Sequence, residues 1–338
     1  MTAFPLLCTP LLISREIVRQ LLPVEQVILS LCSKRARRLV KIHVITPENW
    51  KLLLVTNKQR RTAFESDKDH FDLLGIVPTS DNSNVKGTIR INGYTVPISW
   101  KMEYLVTHWD DINLGIRVVT EYCTDLYNTV VYILNVSKRR EWVVDWIHER
   151  QKILYEVCHD GKFNEELLTR QLSHLNVDTM FYSFMKIPDT FRYSGKFPNP
   201  IRIGFDSGGW VTLENLLSMS SKHIEIGKSK FSEEDINRYL KIWMNGECSR
   251  LQYLAINMES VSLRKVIDGI QGATLINEER TFTWERDSDL YSPIPPVQIS
   301  HGYNIVNVNG VMATVIEGWF LGPSICVCVW PDAHNNVF

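Results

Sequence analysis

None of the common catalytic signatures occurs in these 338 residues. The motifs G-x-S-x-G, G-x-x-x-x-G-K-[ST] and H-E-x-x-H are absent, so no segment offers a serine elbow, a phosphate-cradling loop or a pair of zinc histidines. C-x-x-C is absent too, and the seven cysteines are scattered except for Cys326-Val327-Cys328. An odd, unpatterned set suits reduced thiols and an expected location in the cytoplasm or nucleus. The nine histidines show no Cys/His spacing suited to zinc, so no metal and no cofactor is expected. Net charge is also nearly absent, at -1, which disfavours bulk attraction to nucleic acid or an anionic membrane. Apolar runs are far shorter than the roughly 20 residues a membrane span needs. The opening stretch is interrupted by Pro5, Thr9 and Pro10 and lacks a cationic start, so no secretory signal is expected.

Two clusters come nearest to chemistry and fall short. Gly204-Phe205-Asp206-Ser207-Gly208-Gly209-Trp210 lacks the order of a phosphate loop and reads as a strand-to-helix turn. Cys158-His159-Asp160 lists three catalytic residue types side by side, but neighbours in sequence point apart, whereas triads assemble from distant positions. No catalytic residue is assigned.

What the chain does contain begins at its N-terminus. After Pro10, apolar residues at Ile13, Ile17, Val18, Leu21 and Leu22 trace one face of a helix. Pro23 interrupts it, and Val27, Ile28 and Leu31 begin a second amphipathic run ending in Lys34-Arg35-Ala36-Arg37-Arg38. Residues 1–41 hold seven bases against two acids, +5 locally, leaving -6 for the remainder. Bases at a helix C-terminus offset its dipole. Without aromatic interleaving, a solvated helix end is favoured here over a nucleic-acid patch. A unit of about forty residues is at the lower limit for independent folding, so it either docks on the body or keeps an apolar face for a partner.

Residues 44–115 read as a β-rich segment. Asn92-Gly93 lies between alternating strands and predicts a type I′ hairpin, and Ser80–Asn84 reads as a loop. From Val130, strand-like runs recur at Ile153, Asp178, Ile201, Lys222 and Gln252, with helix patterns at 141–149, 164–175, 212–219 and 232–244. Intervals of 21 to 30 residues are those of an irregular leucine-rich-repeat-like solenoid, although the L-x-x-L-x-L-x-x-N consensus is not met. The alternative is an ordinary α+β domain with coincidental spacing. Residues 276–338 return to strand patterns, with a second Asn-Gly hairpin signal at Asn309-Gly310, and are expected to form a β-rich C-terminal cap.

Pro10, Ile17, Val18, Leu21 and Leu29-Ser30-Leu31-Cys32-Ser33-Lys34-Arg35 together resemble an F-box, although Thr9 and Ala36 replace the family's usual Leu and Trp. The Phe4-Pro5-Leu6-Leu7 opening is similar to that of nematode F-box proteins. Further on, three segments resemble the type 2 F-box-associated domain over about residues 205–275: Trp210–Leu217, Asp235–Trp243 and Arg250–Leu254. The patterns and the resemblance together give the expected organisation of an α+β chain: the resemblance implies a three-helix F-box at 1–43, and the patterns give a β-rich segment at 44–115, a leucine-rich-repeat-like body at 116–275 and the cap at 276–338. The resemblance also implies a non-catalytic substrate receptor of an SCF-type cullin-RING ubiquitin ligase. Pro10, Ile13, Ile17, Val18, Leu21, Leu22 and Leu29 would bind the adaptor subunit and, through it, the cullin. The other reading is a non-degradative module that sequesters a protein. Strand alternation further suggests that Glu156, His223 and Glu225 point outward from the body and contact an unidentified protein substrate.

Overall fold

The computed structural model describes residues 9–66, 68–81, 84–137, 139–283 and 296–330. The Phe4-Pro5-Leu6-Leu7 opening and part of the Ser80–Asn84 loop lie outside the described residues. The chain forms two compact units, Met1–Ile147 and His148–Phe338.

The first unit opens with three helices, α1 (Leu11–Gln20), α2 (Pro23–Cys32) and α3 (Lys34–His43). Pro23 starts α2, where its fixed φ suits the helix and its missing N–H would have had no intrahelical partner. Glu25 accepts the Leu22 N–H at 2.8 Å, and Ser33 caps α3 by accepting the Ala36 N–H at 3.0 Å. Strands β1 (Lys51–Val55), β2 (Arg61–Glu65), β3 (His70–Pro78), β4 (Gly87–Ile91), β5 (Tyr94–Lys101) and β6 (Tyr104–Trp109) follow, then α4 (Ile112–Tyr127) and β7 (Val131–Ser137). Within the unit the sheet order is β7-β1-β2-β3-β6-β5-β4, with β1 parallel to β7 and β3 parallel to β6. Asn92 and Gly93 both take positive φ, 44° and 93°, so the Asn-Gly pair makes the expected β4–β5 turn. At Gly115, a Cβ would meet the Trp109 ring at 2.6 Å, so a glycine is needed where α4 crosses β6.

Of the three helices α2 docks on this sheet, while α3 packs against α2 and α4 and α1 packs against α3. Val24 and Ile28 of α2 pack with Val77, Tyr104 and Val106. Tyr127 donates to the Pro23 carbonyl at 2.7 Å, and Ser30 bonds the Tyr122 hydroxyl at 2.6 Å. Gln26 ties α1 to α2 by donating to the carbonyls of Val18 (3.0 Å) and Leu21 (3.1 Å).

Helix α5 (Trp142–Arg150) carries the chain into the second unit. There β8 (Leu154–Asp160), α6 (Glu165–His174), β9 (Val177–Ser183), β10 (Arg202–Phe205), α7 (Leu213–Ser218), β11 (His223–Ile226), α8 (Glu233–Met244) and β12 (Tyr253–Asn257) succeed one another. The five strands lie side by side in chain order, all parallel. Three of the four connections hold a helix. The fourth, between β9 and β10, is irregular and locked by Phe191, Tyr193 and Phe197, with Phe191 4.9 Å and Phe205 5.2 Å from the buried Trp210 ring.

The remaining elements are α9 (Leu263–Val266), β13 (Thr274–Ile276), β14 (Arg280–Phe282), β15 (Val297–Ile299), β16 (Gly302–Val306), β17 (Met312–Trp319) and β18 (Pro323–Val329). They extend the sheet antiparallel from β12 in the order β18, β17, β16, β13, while β14 and β15 pair separately. Asn309-Gly310 lies in the turn between β16 and β17, with Gly310 at φ 79°. The protein is therefore a mixed α+β fold, with long sheets covered by short helices.

Candidate functional site

Two places follow from the residues singled out in the sequence: the outer face of the N-terminal helices, and the sheet face carrying Glu156, His223 and Glu225.

The helices leave several large apolar side chains in water. Leu11, Leu12 and Ile13 are 67%, 66% and 48% exposed, Leu22 is 48% exposed, and Ile42 and Ile45 beyond the basic run are 64% and 59% exposed. Pro10, capping α1, is exposed, whereas Ile17, Leu21 and Leu29 are half-buried. Val18 is the exception. It is wholly buried beside Ser14, one turn earlier on the inner side of α1, and so cannot contact an adaptor. The stripe read as one face therefore holds residues of two faces. The exposure of Leu11, Leu12, Ile42 and Ile45 is not read from the sequence because they stand outside the Ile13/Ile17/Leu21 periodicity. The run of three aliphatics directly after Pro10 was the available signal.

Electrostatics fix the inner side of α3. Arg37 donates to Asp125 at 3.0 Å and lies 4.4 Å over the Tyr122 ring, while Lys41 reaches the other Asp125 oxygen. The Lys41 hydrogen bond, with lesser help from Arg37, holds the Asp125 carboxyl below its ordinary range. Burial, first of all, pushes the Tyr122 phenol up to about 12. The basic run thus splits. Arg37 and Lys41 anchor the helix, and a groove of about 480 Å³ lined by Lys34, Arg37, Arg38, Lys41 and Ile42 opens along α3.

The sheet face differs from expectation. Register aligns Glu156, Met180, Arg202, His223 and Tyr253 across β8 to β12, and the next row on the same face is Cys158, Tyr182, Gly204, Glu225 and Ala255. The opposite face carries Val157, Phe181, Ile203, Ile224 and Leu254. Phe181, Ser183, Leu254 and Ile256 belong to that apolar face. Met180, Tyr182, Tyr253 and Ala255 belong with the polar row.

Nor does the polar row face solvent. Glu156, His223 and Glu225 are only 1%, 1% and 3% exposed, so none of the three is an open substrate contact. Glu225 receives Arg202 Nη2 at 3.0 and 2.8 Å, a charge-assisted pair that lets a carboxylate sit inside. Tyr182 donates to Asp206 at 3.0 Å and lies under the Arg202 guanidinium. Burial, then the nearby Glu225 and Asp206 charges, drives the Tyr182 phenol far above its usual value. Toward β18 the same face turns apolar, where Tyr253, Ala255, Cys326 and Cys328 pack with Phe282 of β14 and Ile299 of β15. The face is an interior belt. Its charges hold strands together.

Nothing in this arrangement activates a nucleophile. Cys158 and His159 project to opposite faces of β8, as alternation requires. Burial raises the Cys123 thiol to about 12, and also raises those of Cys248, Cys326 and Cys328, so their thiolates are suppressed at neutral pH. Among the described residues, no three metal-ligating side chains converge, and no helix is long and apolar enough to cross a membrane.

Residues 197–256 match the family model described as F-box associated. The match begins at the Phe197 ring of the aromatic lock and runs through β10, α7, β11 and α8 to the penultimate residue of β12. No curated protein and no solved structure matches the chain. The second unit thus contains a domain similar to those that accompany F-boxes.

Proposed function

We propose that this chain is the substrate-recognition subunit of an SCF-type cullin-RING ubiquitin ligase, with α1–α3 acting as its F-box. The observation that carries the reading is a pairing. A chain with an F-box-associated match at 197–256 also carries three N-terminal helices whose outer side leaves Leu11, Leu12, Ile13 and Leu22 exposed. Helix-face association of this kind is driven by a few aliphatic anchors. In this reading Pro10, Ile13, Ile17, Leu21, Leu22 and Leu29 contact the adaptor together with Leu11 and Leu12, and Val18 supports them from within. The parallel strand–helix series from β8 to β12 is read as a short leucine-rich-repeat-like body that presents a target protein. The chain performs no catalysis itself. It raises the local concentration of target lysines near a ubiquitin-charged enzyme. The protein works in the cytoplasm or nucleus, where the ligase operates.

The test is reconstitution. Affinity purification from proteasome-inhibited cells is expected to recover adaptor, cullin and one or more ubiquitinated targets. Leu12→Asp with Ile13→Asp is expected to lose adaptor and cullin while keeping the targets. Targets that bind but are never ubiquitinated in the reconstituted ligase would favour the sequestering module instead.

A further inference from the structure

The buried polar face leaves the place of target binding open, and a second feature of the same unit supplies one. Between α8 and α9 lies a groove of about 560 Å³ lined by Glu234, Asn237, Arg238, Lys241, Arg264, Lys265, Asp268 and Gly269. Four cations face two carboxylates there. Arg238 and Lys241 are one turn apart on α8, and Arg264 and Lys265 are adjacent on α9. Lys265 lies 4.0 Å from Glu233 on the groove's edge. Arg238, Lys241 and Arg264 are exposed and have no ion pair within 4 Å among the described residues. Asn237 fixes the floor, donating to the carbonyls of Val266 at 2.7 Å and Asp268 at 2.8 Å, so the two helices keep their spacing without a ligand.

We propose that this groove binds an aspartate- or glutamate-rich segment of a partner protein, which, if the chain is a ligase receptor, is its target. Charge complementarity selects the occupant. Two guanidinium forks and two ammonium groups suit carboxylates, and Arg238, Lys241 and Arg264 make no ion pair within 4 Å among the described residues, Arg238 having only the longer-range field of Glu214. A nucleic acid is disfavoured because no aromatic side chain lines the groove for base stacking, and the chain as a whole carries -1. The site lies partly in the F-box-associated match and extends past it to α9, on the helical side of the unit rather than on the buried polar belt.

The test uses the full-length protein and a fluorescent eight-residue glutamate-rich peptide, followed by anisotropy. Binding is expected to weaken with added salt and to vanish for the glutamine analogue. Arg238→Glu with Lys241→Glu and Arg264→Glu is expected to lower affinity by about tenfold or more. Lys58→Glu, an exposed charge change in the other unit, is expected to leave it unchanged. If the triple reversal fails to fold, Arg238→Gln with Lys241→Gln and Arg264→Gln reads the same interaction without new negative charge. Unchanged peptide binding in the folded triple variant would overturn the proposal. So would tighter binding of a single-stranded RNA of equal charge. Adaptor binding is measured in parallel. A groove that fails while the adaptor still binds refutes this site alone, and the reverse refutes the ligase reading alone.

Discussion

Arg202 and Glu225 sit on adjacent parallel strands with side-chain exposures of 15% and 3%, close enough for one guanidinium nitrogen to reach both carboxylate oxygens. Two charges taken out of water this way gain little net stability over a well-packed apolar pair, but removing one partner strands the other. Arg202→Met is therefore expected to destabilise the protein by about 3 kcal/mol or more, and Arg202→Met with Glu225→Leu by clearly less. Urea denaturation of the wild type, each single variant and the double variant measures this coupling. Equal losses in single and double variants would mean that the pair does not act as a unit. His223 and Glu156, on the same face, look like site residues in the sequence because polar side chains alternate with apolar ones. Alternation separates two faces within one strand. It cannot show that both faces will be covered.

At the scale of elements, the sequence located most pieces and misassigned some of their faces. Strand-like runs spaced 21 to 30 residues apart mark β8 to β12 closely, because helix and strand periodicities differ and Ser232 and Thr212 are strong caps. The register between strands was not legible. In β9 both parities are mainly apolar apart from Asp178 near its start, so alternation within the strand does not by itself say that Met180 and Tyr182 share a face with Glu156. The same limit explains Val18. In a ten-residue helix carrying apolar side chains on two sides, periodicity alone does not say which side meets the body. The basic run on α3 illustrates a third case, since only the partner Asp125, 88 positions beyond Arg37, separates anchoring bases from solvated ones.

Asp125 also sets a pH dependence. Its folded-state pKa lies below its ordinary value of 3.8, so its stabilising effect is fully present above that value. It is lost as pH falls through the lowered folded value. Asp125→Asn is expected to speed amide exchange in α3 at neutral pH by an amount corresponding to about 0–1 kcal/mol, since the pair is largely exposed. The difference from wild type should disappear in strong acid. A difference that grows as pH falls would contradict the assigned role.

For the whole molecule, the F-box-associated match coincides with an aromatic cluster that locks the second unit. Trp210, only 1% exposed, packs with Phe191, Phe197 and Phe205 where a helix is missing between β9 and β10. Trp210→Ala is expected to cost about 3–5 kcal/mol and to lower the melting temperature measured by calorimetry. A shift of less than a degree would mean that the aromatic lock is dispensable.

The N-terminal helices pack within the first unit and still leave apolar side chains exposed, two outcomes that look like alternatives in the sequence. Their inner residues pack on one another, on α4 and, through α2, on the first unit's sheet, while several outer aliphatics remain in water. This division supplies the most direct measurement of the proposed function, a calorimetric titration of the SCF adaptor subunit into the full-length protein. Wild-type protein is expected to bind with one-to-one stoichiometry. Ile13→Asp with Leu22→Asp is expected to abolish the heat of binding without altering the circular dichroism spectrum, because both positions are exposed and a charge there is costly only once the interface forms. Val18→Asp is expected to disrupt the helices themselves. Absence of adaptor binding by the wild-type protein, or full binding by the Ile13→Asp and Leu22→Asp variant, would contradict the account.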